Sequence, residues 1–257
     1  MFLLVFDTTG PVGSAALIDE EGRVTVRETR EPMAHLKMLM PLTAELLRDR
    51  GIRPDDLTAV SAAAGPGSYT GIRIGVSTAR ALSQALSIPC VKVPTLEMFR
   101  AFSGNGRAAA VILNARRGQV YGAVFGADGE TVLTPGPWML EDAVNAADPL
   151  GGCVTWYGDG IDAYKDSPKY GGLLEGRIFA PESVRYQNAG LAAPYALREY
   201  QEGKTLTYDE LLPEYMRKTE AEQKWKDGTL AEARKRKLQR IMGISGDAAS
   251  DAGKGKR

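Results

Sequence analysis

Gly65-Pro66-Gly67-Ser68-Tyr69-Thr70-Gly71-Ile72-Arg73-Ile74-Gly75 stands between an apolar run, Leu57 to Ala64, and apolar residues at helical spacing, Ile72, Val76, Ala79, Leu82 and Leu86. Strand, glycine loop and helix in that order, with Pro89 closing the helix, are the unit of an α/β fold. The glycines permit positive φ and let a backbone or a phosphate come close. A helix N-terminus adds unpaired N–H groups and partial positive charge, so an anion is one candidate occupant. The loop is not a Walker loop, which needs Gly-Lys-Ser/Thr, nor a Rossmann G-x-G-x-x-G. Packing is the other use. Gly71 and Gly75 share a helical face that Ala79 continues, open to the chain's own sheet or to a helix of another chain.

Upstream, Leu3 to Phe6 ends at Asp7-Thr8-Thr9-Gly10, a strand followed by a polar turn. Ser14 to Ile18 and Arg23 to Arg27 read as two more strands joined by Asp19-Glu20-Glu21-Gly22. Leu36, Leu39, Met40, Thr43, Leu46, Leu47 and Arg50 mark a helix that Gly51 stops and that Pro41 should kink or split. With His35, Met38 and Leu42, and Met33 just ahead, this helix has more apolar positions than one buried face requires. Downstream, Val91 to Val93 is a short strand, and Thr95 is the expected N-cap of a helix reaching Phe102. Gly104-Asn105-Gly106 punctuates the chain. Ala108 to Leu113 and Gln119 to Phe125 then resemble a second copy of the opening hairpin. From Gly126 to Pro213 the signals thin, apart from a helix over Asn188 to Gln201, and from Lys218 the chain is helix-prone and charged. The organisation expected is a first lobe over 1–104, a smaller second lobe over 105–223 and a basic tail over 224–257.

Composition narrows the chemistry. His35 is the one histidine of 257 residues, so a two-histidine metal site cannot be built from this chain, and no Ser or Cys sits in a nucleophile-elbow context. No metal ligands and no catalytic residues are expected. Cys90 and Cys153 give no disulfide framework, which suits a reducing cytoplasm, and no run approaches a membrane span. Net charge is zero, but residues 224–257 carry +6 and the preceding 223 carry −6. The tail is either a solvated end or a contact for RNA or an acidic partner.

The stretch Gly65 to Gly75 resembles the G-P-G-S-[FY]-T-G-[LIV]-R-[IV]-G signature of the TsaB (YeaZ) family. Weaker likenesses are Leu4-Val5-Phe6-Asp7-Thr8-Thr9 with the strand Gly13 to Leu17, His35 with Pro41-Leu42, Asn114-Ala115-Arg116-Arg117-Gly118-Gln119-Val120-Tyr121, and Pro213-Glu214-Tyr215-Met216-Arg217. Together they span roughly residues 2 to 225. The resemblance implies an actin/hexokinase-like (ASKHA) fold of two related α/β lobes. It implies a non-catalytic subunit that supports a TsaD-like transferase in making threonylcarbamoyladenosine in tRNA, with a TsaE-like ATPase and the product of a TsaC-like enzyme recruited by the pair. The chain would meet tRNA through that complex and would pair with itself when alone.

In the family the helix near His35 and the helix after the glycine loop form the contact with TsaD. His35, Leu36, Leu39, Met40, Ile72, Gly75, Val76 and Ala79 are therefore the expected partner interface, with Gly75 the most sensitive. No cofactor is required, although ATP or ADP at the partner interface is one use of Asp7, Thr8, Thr9 and Gly10 facing Gly65, Gly67 and Ser68. Asn114 and Gln119 stand where the family usually has acidic residues, which weakens a phosphate or metal role for that hairpin. The alternatives are a small-molecule kinase on the same fold, for which the opening loop lacks a following Lys/Arg, and a glycoprotease, for which no nucleophile arrangement exists.

Overall fold

The apolar run at the N-terminus forms strand β1 (Phe2–Asp7), whose period of two sends Leu3 and Val5 to one face and Leu4 and Phe6 to the other, all fully buried. A computed structural model describes residues 1–29 and 35–216, which form one compact unit; Met33, the charged stretch from Lys218 and the tail lie outside the described residues. β1 pairs antiparallel with β2 (Ser14–Asp19), Phe6 opposite Ala15, and β2 with β3 (Val24–Glu28). Helix α1 (His35–Asp49) leads to β4 (Ala59–Gly65), parallel to β1, and helix α2 (Tyr69–Leu86) to β5 (Cys90–Pro94), parallel to β4. The sheet order is β3-β2-β1-β4-β5.

The second half repeats this plan. β6 (Ala108–Asn114), β7 (Gln119–Phe125) and β8 (Thr131–Met139) form an antiparallel meander, followed by α3 (Leu140–Ala147) and β9 (Val154–Tyr157), parallel to β6. After α4 (Gly160–Tyr164), β10 (Ile178–Phe179) lies parallel to β9, giving β8-β7-β6-β9-β10. Strand order and strand senses match the first sheet throughout, so the likeness of the two hairpins belongs to a repeat of the whole α/β lobe. Two helices complete the unit, the short α5 (Glu182–Arg185) and the long α6 (Ala189–Gln201).

Each sheet buries two faces. Leu4, Phe6, Leu17 and Val60 pack beneath Leu39 and Leu46 of α1 and Ile72 and Val76 of α2. The opposite face, with Leu3, Val5 and Ile18, joins the inner face of the second sheet, Val111 and Phe125, in one shared core. Helix α6 enters that core through Ala189, Ala192, Ala193 and Ala196, a stripe whose small side chains let the helix lie close to the strands. Its N-cap is Asn188, whose side chain accepts from Leu191 N. The outer face of the second sheet is covered by α3 and α4. Burial of each large apolar side chain contributes roughly 1.5–3 kcal/mol.

Three local expectations change. Pro41 does not split α1, which runs unbroken to Asp49. Pro41 and Lys37, whose carbonyl loses its helical partner, are both exposed, so water can satisfy that oxygen. Thr95 is not a helix cap. Its N–H donates to Gly65 O at 2.8 Å, continuing the sheet edge, and the helix is a tighter 3₁₀ segment, Glu97–Phe102.

The third change concerns the glycine strip of α2. A side-chain carbon on Gly71 would overlap the Thr8 carbonyl oxygen, and one on Gly75 would lie 2.6 Å from Thr8 Oγ1. Thr8 Oγ1 itself donates to Gly71 O at 2.6 Å. The strip therefore serves the chain's own sheet, and Gly75 is not the floor of a contact with another chain. Gly71→Ala is expected to lower folding stability by about 2–3 kcal/mol and Gly75→Ala by about 1 kcal/mol, because the first meets backbone and the second a side chain. Unchanged urea midpoints for both variants would show that this contact carries no stability.

Candidate functional site

The turn after β1 and the loop before α2 are locked together. Thr9 N and Thr9 Oγ1 both donate to Asp7 Oδ1 at 2.7 Å, and Ser68 N donates to Thr9 O at 2.7 Å. Ser68 caps α2 by accepting from Gly71 N at 3.2 Å. Gly67, at φ +155°, faces Thr9 so closely that a side-chain carbon there would lie 2.6 Å from both Thr9 Cβ and Thr9 O. Gly65, at φ +121°, lies under the Glu214 carbonyl, while Glu214 N donates to Ala64 O at 2.7 Å. Sequence reading brought Asp7 to Gly10 and Gly65 to Ser68 face to face, and they are. Their facing backbones fill the space between them.

Sequence reasoning missed what lies beside this knot. The segment Leu211–Met216 returns across the glycine loop, with Leu211 fully buried beneath α1 and α2. Its signal was the weak likeness at Pro213–Arg217. Behind Gly10 sits Gln187, 4% exposed, whose Nε2 would be 2.9 Å from a side-chain carbon on Gly10. Asp159, just before α4, accepts from Asn114 N at 3.0 Å. These residues edge a cleft of about 530 Å³ lined by Glu28, Asn114, Asp159, Asp162, Glu182 and Tyr186, among others. Asn114 Oδ1 turns back to accept from Arg116 N at 2.8 Å, and Gln119 O accepts from Tyr164 at 2.9 Å, so both serve the second hairpin.

Two carboxyls stand near these elements. Asp7 is 1% exposed and its Oδ2 has no hydrogen-bond partner among the described residues. Burial pushes its carboxyl up to about 6, against the two bonds from Thr9, with the Asp159 charge adding to the rise. Burial likewise raises Asp159, opposed by bonds from Asn114 and Gln187. Among the described residues no three His, Cys, Asp or Glu side chains gather as a metal site, and no helix is long and apolar enough to cross a membrane.

The expected interface residues separate into two groups. Leu39, Ile72, Val76 and Ala79 are each no more than 1% exposed, and Gly75 is buried with them, so these five belong to the chain's own core and offer no surface to a partner. The inward helix face takes them because Phe6 and Val60 lie beneath it. Leu36 and Met40, one turn apart, face outward at 77% and 49% exposure, and Met38 is 36% exposed on another side of the helix. His35 begins α1. Because α1 and α2 cover the same sheet face, their outward sides look away from it together.

The relatives agree with this architecture. The protein named tRNA threonylcarbamoyladenosine biosynthesis protein TsaB from Bacillus subtilis (strain 168) is 30% identical over 232 residues, covering 88% of this chain and 98% of its own length. The chain belongs to the TsaB family. The protein of the same name from Escherichia coli (strain K12) is 29% identical over 240 residues, covering 88% and 97%. The solved structure of YeaZ from Pseudomonas aeruginosa superposes with a TM-score of 0.65 at 23% identity, covering 83% of this chain and 99% of that one, and so shares the fold. Residues 31–146 match the family described as TsaD: tRNA N6-adenosine threonylcarbamoyltransferase. The two-lobed fold and the family expected from the glycine signature are thus both found.

Asp7 gives a test of the buried carboxyl. Its folded value near 6 lies above the ordinary 3.8, so the folded state holds the proton more tightly, and stability falls as pH rises through that window. The displacement corresponds to roughly 3 kcal/mol of unfavourable ionisation. Asp7→Asn, which keeps Oδ1 for Thr9, should raise stability by about 1–3 kcal/mol at neutral pH and by progressively less toward pH 4. Urea unfolding of both proteins across that range measures it, and a pH-independent difference would contradict the assignment.

Proposed function

We propose that this protein is a non-catalytic subunit in the biosynthesis of threonylcarbamoyladenosine in tRNA, acting in the cytoplasm. In this reading it pairs with a transferase-type subunit through the outward sides of α1 and α2. One observation carries it: Leu36, Met38 and Met40 are exposed on a helix whose inner face is already filled by Leu39, Leu42 and Leu46. Leu36 and Met40, exposed one turn apart on one side of a rigid helix, have the composition of a protein contact, and methionines adapt to the opposing surface. The names of the curated relatives place them in this pathway. The stretch similar to the transferase family, 31–146, contains α1, the glycine loop and α2. A partner carrying equivalent helices could meet this face in a pseudo-symmetric pair, helix side to helix side.

Supporting the partner requires no bound nucleotide. A phosphate between the turn and the glycine loop would have to displace Thr9 from Gly67, and the neighbouring cleft carries Glu28, Asp159, Asp162 and Glu182. The opening loop has no following Lys or Arg to meet a polyphosphate, which disfavours the kinase reading. A TsaE-like ATPase would join the pair afterwards, and the free chain would use the same apolar face to pair with itself.

The test is co-expression with the transferase-type subunit, followed by sizing and an assay of tRNA modification. Leu36→Glu combined with Met40→Glu should weaken the complex at least about tenfold, while the melting temperature of the free chain stays within about 2 °C of wild type. Leu39→Ala should instead lower stability by about 2–4 kcal/mol. A double glutamate variant that co-elutes and supports modification as wild type does would overturn the proposal.

A further inference from the structure

The two most distinctive motifs of the sequence meet at one point on the surface. Tyr69 and Arg73, one turn apart at the start of α2, come from the glycine signature. Tyr215 comes from the segment Pro213–Met216 that crosses it. The rings of Tyr69 and Tyr215 stack with centroids 4.5 Å apart. The Arg73 guanidinium lies 4.3 Å from the Tyr69 centroid and 5.9 Å from that of Tyr215. Its Nε donates to Tyr215 Oη at 2.9 Å and one Nη2 donor goes to Tyr69 Oη.

The arginines of this chain differ in what holds them. Arg23, Arg27, Arg50, Arg100 and Arg177 each meet a carboxylate. Arg73 has none within ion-pair distance among the described residues, and two neutral phenols hold it instead. No carboxylate among the described residues compensates its charge, and the remaining three of its five donors have no partner there. An arginine side chain normally loses about 2 kcal/mol of rotamer entropy on being fixed. Here the stack has already fixed it, so binding an anion through its free edge costs less than usual. Tyr69 and Tyr215 are themselves 37% and 39% exposed, and tyrosine and arginine are the residues that dominate binding at protein interfaces.

We infer that Arg73 is a specificity-determining contact, held by Tyr69 and Tyr215 on the exposed side of α2 to donate to a carboxylate of the transferase-type subunit. The inference rests on the pairing proposed above. A protein carboxylate is favoured over RNA phosphate because Arg73 is exposed on α2, one of the two helices of the proposed pairing, and because the first 223 residues carry a net charge of −6, which repels RNA.

The experiment is calorimetric titration of the full chain with the transferase-type subunit at low and high salt, using wild type, Arg73→Ala, Arg73→Lys, Tyr215→Phe and Leu36→Glu. Arg73→Ala should weaken Kd about tenfold or more at low salt, with the loss shrinking as salt rises. Arg73→Lys should recover little of it, since the fork is lost, and Tyr215→Phe should fall between. Urea midpoints of the free variants check that folding is intact. Unchanged affinity in Arg73→Ala while Leu36→Glu fails to bind would overturn the role of Arg73 alone. So would a loss independent of salt, or intact pairing with weakened tRNA affinity. If Leu36→Glu also bound as wild type, the interface itself would be wrong, and this inference with it.

Discussion

Helix α2 can lie against the β1 turn only because three positions carry no side chain. Gly67 abuts Thr9, and Gly71 and Gly75 abut Thr8, in each case at distances a Cβ would make repulsive. The rest of the first lobe follows from that approach. It brings Thr8 Oγ1 to Gly71 O and Ser68 N to Thr9 O, which fixes where α2 starts and which of its faces meets the sheet. Once Ile72, Val76 and Ala79 point inward, the outward face is determined, and so is the position of Tyr69 and Arg73 on it.

The same constraint narrows the room for a phosphate at the glycine loop. Such loops bind anions when their N–H groups point into open space. In this chain the Thr8–Thr9 turn occupies that space, and behind it stands a pair of carboxyls, Asp7 and Asp159, that burial makes reluctant to ionise. What the lobe offers instead is a rigid platform. Two helices are fixed on a sheet buried on both faces, with apolar side chains left over on the outer side of one and a clamped arginine on the other.

Much of this was legible from residue order. Unbroken apolar strands at Leu3–Phe6 and Leu57–Ala64, the spacing of α1 and α2, and the helix over Asn188 to Gln201 all depend on neighbours a few positions apart, which sequence displays directly. The stretch from Gly126 to Pro213 was not legible. There β8 carries Pro135, Gly136 and Pro137 on a sheet edge, β9 has four residues and β10 two. Strands so short hold no periodicity, and they form because β6 and β7 are already in place.

By itself the sequence determined the family, the two-lobed α/β class and the presence of a helix with excess apolar residues. Those follow from local pattern and from a motif too long to arise by chance. Which apolar residues are left exposed was decided only by tertiary structure. Leu36 and Leu39 are equivalent in a list of hydrophobic positions, yet one is 77% exposed and the other 1%. A helix three to four residues per turn can rotate either side toward the sheet, and the rotation is set by packing against Phe6 and Val60. The glycines shared that ambiguity. Their spacing announced a close approach, and the fold named the partner in it: Thr8 of the same chain.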